Sequence, residues 1–121
     1  MPGHSIIGEK SLAFAKRVAK CYLFLQEKKK ETILSKQFVR SGTSIGANVR
    51  EGIYAKSRKD FISKMNIALK EAGETDYWLD VLHAAEYLTD SEYKSMKNDI
   101  DELIRLLSSI VKTTKELANK Q

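Results

Sequence analysis

Apolar residues recur every three or four positions along most of the chain, in four runs separated by short polar breaks. That is the spacing of amphipathic helices. The first run, about residues 9–29, puts Leu12, Ala15, Val18, Ala19, Tyr22 and Leu25 on one stripe, which Phe14, Cys21, Leu23 and Phe24 widen. The second, about residues 31–55, carries Leu34, Phe38, Ile45, Val49 and Ile53. Ser57-Arg58-Lys59-Asp60 reads as a cap with an acid three residues on, opening a third helix that carries Phe61, Met65, Ala68, Leu69, Ala72, Leu79 and Leu82 out to Leu88. Thr89-Asp90-Ser91-Glu92 is a capping box for a fourth, with Tyr93, Met96, Ile100, Leu103, Ile104, Leu107, Ile110, Val111 and Leu117 on its stripe. Breaks this short make consecutive helices antiparallel neighbours. The pattern predicts an all-α, up-down-up-down four-helix bundle in one domain over residues 1–121, with residues 1–8 as a frayed tail.

One stretch departs from good helix chemistry. Arg40-Ser41-Gly42-Thr43-Ser44-Ile45-Gly46-Ala47-Asn48-Val49-Arg50-Glu51-Gly52 keeps the helical spacing of large residues but is crowded with Gly, Ser, Thr and Ala. Each interior glycine costs about 1 kcal/mol relative to alanine. Gly42 and Gly46 lie one above the other, so the missing side-chain volume points to close approach by a neighbouring helix. The same helix places Ser41, Ser44, Asn48 and Glu51 at three- or four-residue steps, and the third places Glu71, Glu74, Thr75 and Asp76 among apolar positions. If the narrow face of the second helix lies against the third, these groups must pair. The reading is a structural polar network of Arg40, Ser44, Asn48 and Glu71 that fixes helix register.

Charge sharpens the picture. The net charge is +5, but residues 1–59 carry thirteen Lys/Arg against four acids, and residues 60–89 carry two against six. A basic half facing an acidic quarter suits nucleic acid, or pairing with its own acidic region within an oligomer. Lys16, Arg17 and Lys20 share one helix face, with Arg50, Lys56, Arg58 and Lys59 as further candidates for nucleic-acid contact. No exposed aromatic platform stands out. Tyr77-Trp78 puts adjacent aromatics about 100° apart on a helix, one inward and one outward, and is the candidate interface.

Catalytic chemistry is not indicated. The histidines are His4 and His83; Asp80 stands one turn before His83, but a di-metal bundle site needs a second such pair on another helix. Cys21 has no histidine at fixed spacing, and no Lys-Ser/Thr pair follows Gly46 to make a phosphate loop. Neither enzyme activity, nor metal, nor cofactor is expected. The lone cysteine, the lack of an apolar run of about 18 residues and the lack of a secretion signal suit a cytoplasmic protein with no membrane contact.

Three blocks are specific when taken together: Ser35-Lys36-Gln37-Phe38-Val39-Arg40-Ser41-Gly42-Thr43-Ser44-Ile45-Gly46-Ala47-Asn48, then Lys59-Asp60-Phe61, then Ala68-Leu69-Lys70-Glu71-Ala72-Gly73-Glu74-Thr75-Asp76-Tyr77-Trp78-Leu79. By these the chain resembles the 23S rRNA intervening-sequence proteins, also called the S23 ribosomal protein family, over nearly its whole length. Gly73 is a mild departure, at a position where the family usually has a better helix former. The resemblance implies a bacterial, non-enzymatic homopentamer of four-helix bundles. It is also similar to the accessory protein of diversity-generating retroelements, a basic pentamer that binds nucleic acid and a reverse transcriptase. Two functions stay open: nucleic-acid binding through a basic surface, or a scaffold that docks an acidic partner such as a polymerase or reverse transcriptase.

Overall fold

A computed structural model describes residues 2–119, apart from the side chains of residues 2–5 and 118. Four helices follow in order: α1 (Pro2–Glu27), α2 (Leu34–Ile53), α3 (Arg58–Ala84) and α4 (Asp90–Asn119). Each helix packs on the next, and a thinner α1–α4 seam closes the bundle. Among the described residues there is no strand, and no helix is long and apolar enough to cross a membrane.

The helix starts use the predicted caps. Ser57 Oγ accepts the Asp60 N–H at 3.1 Å. Thr89 Oγ1 accepts the Glu92 N–H at 3.1 Å while Glu92 Oε1 accepts the Thr89 N–H at 2.8 Å, a complete reciprocal box. At α2 the cap is a buried acid. Glu31 accepts the N–H groups of Ile33, Leu34 and Ser35 at 3.1, 2.8 and 2.6 Å. Burial pushes the Glu31 carboxyl up, but those three donors outweigh it and hold its pKa below the ordinary value.

Two readings of the sequence are corrected. First, α1 begins at Pro2 rather than near residue 9. Ile7 extends the apolar seam by one turn and is buried, so the helix includes residues 2–8 that the pattern leaves as a tail. Second, the core stripe of α1 is Ile7, Ser11, Phe14, Val18, half-buried Cys21 and Leu25, at alternating four- and three-residue steps. Leu12 and Leu23 point outward. Both stripes pass through Val18 and Leu25. Val18 faces Gly42 on either stripe; the observed one adds Ser11, whose backbone lies against Gly46.

Candidate nucleic-acid interface

The small-residue face of α2 lies against α1, not against α3. A Cβ on Gly42 would stand 2.7 and 2.9 Å from the two Val18 methyls, and one on Gly46 would stand 3.3 Å from the Ser11 carbonyl oxygen. Val18 and Ser11 are both buried, so neither can yield easily. This close approach leaves a groove of about 420 Å³ on the outer side of α1 and α2, lined by Leu12, Ala15, Ala47, Ile53 and, at one end, Arg50 and Tyr54. Gly52, in the last turn of α2, faces α3 instead, where a Cβ would meet Met65 Cε at 2.9 Å and Lys64 Cβ at 3.2 Å.

Of the four residues read as a polar network, the structure joins two pairs rather than one set. Arg40 reaches from α2 to α3, with Nη1 3.2 Å from Glu71 Oε2 and Nη2 on Glu74. Arg40, with its hydrogen bond first, holds the Glu74 pKa below its ordinary value against the smaller effect of burial. Asn48 instead donates back along its own helix, to the Ser44 carbonyl at 2.9 Å and to Ser44 Oγ at 3.1 Å. The buried polar contact between α2 and α3 is Ser41 with Thr75, at 2.9 Å between hydroxyl oxygens. The sequence names both residues among the polar groups that must pair, but the network of four read from it leaves them out.

The acids of the second half are largely matched within the fold. Lys97 of α4 bonds Asp76 and lies 3.3 Å from Asp80, whose Oδ1 also accepts the Tyr93 hydroxyl at 2.5 Å. Tyr93 first, then Lys97, keep the Asp80 carboxylate below its ordinary pKa despite burial. Burial lowers the Lys97 ammonium, yet Asp76 and Asp80 together hold it above its ordinary value. Lys10 pairs with Glu102 at 3.2 Å across α1 and α4.

The predicted basic face on α1 is divided by this pairing. Arg17 is a latch to α4, with Nη1 2.5 Å from Asp99 Oδ2 and Nη2 2.9 Å from Ser95 Oγ. Lys16 and Lys20 beside it are exposed. So are Arg50, Lys56, Arg58 and Lys59, which gather around the α2–α3 corner. Among the described residues these last four make no ion pair and no side-chain hydrogen bond, and Tyr54 stands between them.

The matching family model, "23S rRNA-intervening sequence protein", spans residues 4–109. The chain belongs to that family. It is similar to a crystallised protein of unknown function from the S23 ribosomal protein family of Bacteroides thetaiotaomicron VPI-5482, at 53% identity and a TM-score of 0.89, covering 91% of this chain and 98% of that one. No curated protein matches the chain.

The blocks that carry the family resemblance fall mainly on α2 and α3. Within the third, Tyr77 is 58% exposed while Trp78 packs against the core, its ring edge-on to Tyr77 at 4.9 Å. Trp78 Nε1 reaches Glu74 Oε1 at 3.4 Å, so its polar edge is occupied within the helix. His83 stacks on Tyr93 with ring centroids 4.0 Å apart and places Nε2 2.7 Å from Asp90 Oδ1, an arrangement that ties the end of α3 to the start of α4. The His4 side chain lies outside the described ones. Burial, with Glu92 adding to it and Arg17 opposing it, pushes the Cys21 thiol up to about 11, so it is protonated at neutral pH.

Proposed function

We propose that this family member is a non-enzymatic, oligomeric bundle that binds nucleic acid through a basic surface. The observation that supports it is the unequal pairing of charge. The acids of α3 and α4 take Arg40, Lys97, Arg17 and Lys10 as partners, while Lys16, Lys20 and the four cations of the α2–α3 corner stay open to solvent. Unpaired Lys and Arg release counterions when they meet phosphate, and that release drives binding without sequence recognition.

Assembly belongs to the same proposal. An antiparallel, up-down-up-down order is favoured by pairings that run in opposite directions along neighbours, Gly8 with Ile53, Ser11 with Gly46, Val18 with Gly42. Homopentameric ring assembly, cytoplasmic location and kinship with the accessory protein of diversity-generating retroelements rest on the family resemblance. A ring would repeat the corner around one assembly, so weak contacts multiply.

Fluorescence anisotropy with labelled RNA and DNA across a salt series tests the function. Affinity should fall steeply as salt rises, by about 0.7 in log affinity per log salt for each single-strand phosphate contact. A protein that binds neither polymer near physiological salt would transfer the reading to an acidic protein partner. Light scattering should give about five times the 13.7 kDa chain mass. A monomer would remove the ring.

A further inference from the structure

Tyr54 is the feature that pairing and packing leave unexplained. It is 80% exposed, more than any other large apolar side chain among the described residues. A ring held in water at that level gains nothing from the core. Its backbone, however, is fixed. Tyr54 closes α2 by donating its N–H to the Arg50 carbonyl at 3.2 Å, and the next N–H, of Ala55, reaches the Gly52 carbonyl at 3.0 Å. Gly52 is in turn pressed against Met65 and Lys64, so the corner cannot slide along α3. The ring therefore projects from a rigid base.

Its surroundings are cationic. Arg50 lies one turn earlier on α2; Lys56, Arg58 and Lys59 follow within five residues. Nearby Glu51 is engaged by Lys64 at 3.7 Å, which leaves Asp60 and, across the groove on α1, Glu9 as the local acids set against four free cations. Behind Tyr54 and Arg50 runs the groove between α1 and α2, whose floor is apolar and whose polar margin is Glu9 and Thr43.

We propose that the α2–α3 corner is a binding site for single-stranded nucleic acid, with an unpaired base stacked on Tyr54 and flanking phosphates on Arg50, Lys56, Arg58 and Lys59. This rests on the nucleic-acid reading above and narrows it to a class. Phosphate contact alone would need the cations and no ring. A duplex keeps its base faces stacked on one another, whereas an unpaired base has a face to offer an aromatic platform.

The test uses the full chain, a fluorescein-labelled oligouridine and an RNA duplex of the same length, at one salt concentration. The wild type should bind the oligouridine more tightly than the duplex. Tyr54→Ala should weaken oligouridine binding roughly five-fold or more, the range seen when a stacking aromatic is truncated, and leave duplex affinity and the salt slope in place. Tyr54→Phe, which keeps the ring face, should bind as the wild type does. With the side chain exposed, Tyr54→Ala should melt where the wild type melts. Salt-dependent binding that Tyr54→Ala leaves unchanged, or a preference for the duplex, overturns this inference alone and leaves the broader function standing. A change in light-scattering mass on Tyr54→Ala would make the ring a contact between copies of the chain and also overturn it. A wild type that binds no nucleic acid overturns both readings.

Discussion

The α1–α2 seam and the α3–α4 seam join neighbouring helices of one bundle by opposite means. Between α1 and α2 the contact is made by what is missing. Gly42 and Gly46 admit Val18 and the Ser11 backbone, and no ion pair crosses the seam among the described residues. Between α3 and α4 the contact is a ladder of charge and hydrogen bonds through Asp76, Lys97, Asp80, Tyr93, His83 and Asp90. The first seam uses none of the cations of its helices, of which Lys10, Arg17 and Arg40 pair instead with acids of α3 and α4; the second neutralises most of its acids. The surplus of positive charge lies in the first half of the chain, and the glycine seam draws on none of it.

The comparison breaks most severely at Gly42. A Cβ there overlaps a fully buried, β-branched Val18, so Gly42→Leu should destabilise by about 3 kcal/mol, at the upper end of the overpacking range. The gain in helix propensity, under about 1 kcal/mol, acts the other way and is too small to offset it. Chemical denaturation measures this. Gly42→Ala should cost less on a Val18→Ala background than alone, since the two sites are in contact. Equal costs would mean that the seam is looser than the distances say.

The charged seam should respond less to truncation but more to solution conditions. Lys97→Met leaves Asp76 and Asp80 without their cation, at a cost of about 1–2 kcal/mol because both carboxylates keep part of their solvation. Acid acts on the same contacts. Asp80, Glu74 and Glu31 have folded pKa values below their ordinary ones, so their contribution is present at neutral pH and lost as pH falls below about 4.3. Melting temperature should be flat through neutrality and drop in acid. In Lys97→Met the part of that drop due to Asp80 should shrink.

A third glycine sharpens the lesson by reversing its sign. A Cβ on Gly73, in the interior of α3, would meet nothing within 4 Å. Gly73→Ala should therefore stabilise by about 0.5–1 kcal/mol, through helix propensity and a less disordered unfolded chain. A lower melting temperature would show that Gly73 faces something the isolated chain does not contain.

The sequence carried some of this and hid the rest, for definite reasons. The caps at Ser57 and Thr89 were readable because they depend on residues within one turn. The need for close packing at Gly42 and Gly46 was readable too, since nothing else repays so poor a helix. Which neighbour fills that space was not, because α1 carries two apolar stripes that cross at Val18 and Leu25, and only the opposing glycines choose between them. Arg17 looked like its exposed neighbours Lys16 and Lys20; its partners Ser95 and Asp99 lie far along the chain. Tyr54 does not stand out in the sequence because it adjoins Ile53 at the end of an apolar run, and its exposure depends on how Gly52 seats the corner against Met65.

The central claim is that the cations left free at the α2–α3 corner meet phosphate, and the salt slope of affinity tests it most directly. One variant replaces Arg50, Lys56, Arg58 and Lys59 by glutamine; a second replaces Lys16 and Lys20, with Arg17 kept as the latch to α4. Both should keep their fold, because all six side chains are exposed. The account predicts that the corner variant flattens the slope of log affinity against log salt for oligouridine by roughly two to three units, at about 0.7 for each phosphate that is no longer neutralised, and that the α1 variant changes it less. A corner variant with the slope and affinity of the wild type would contradict the account.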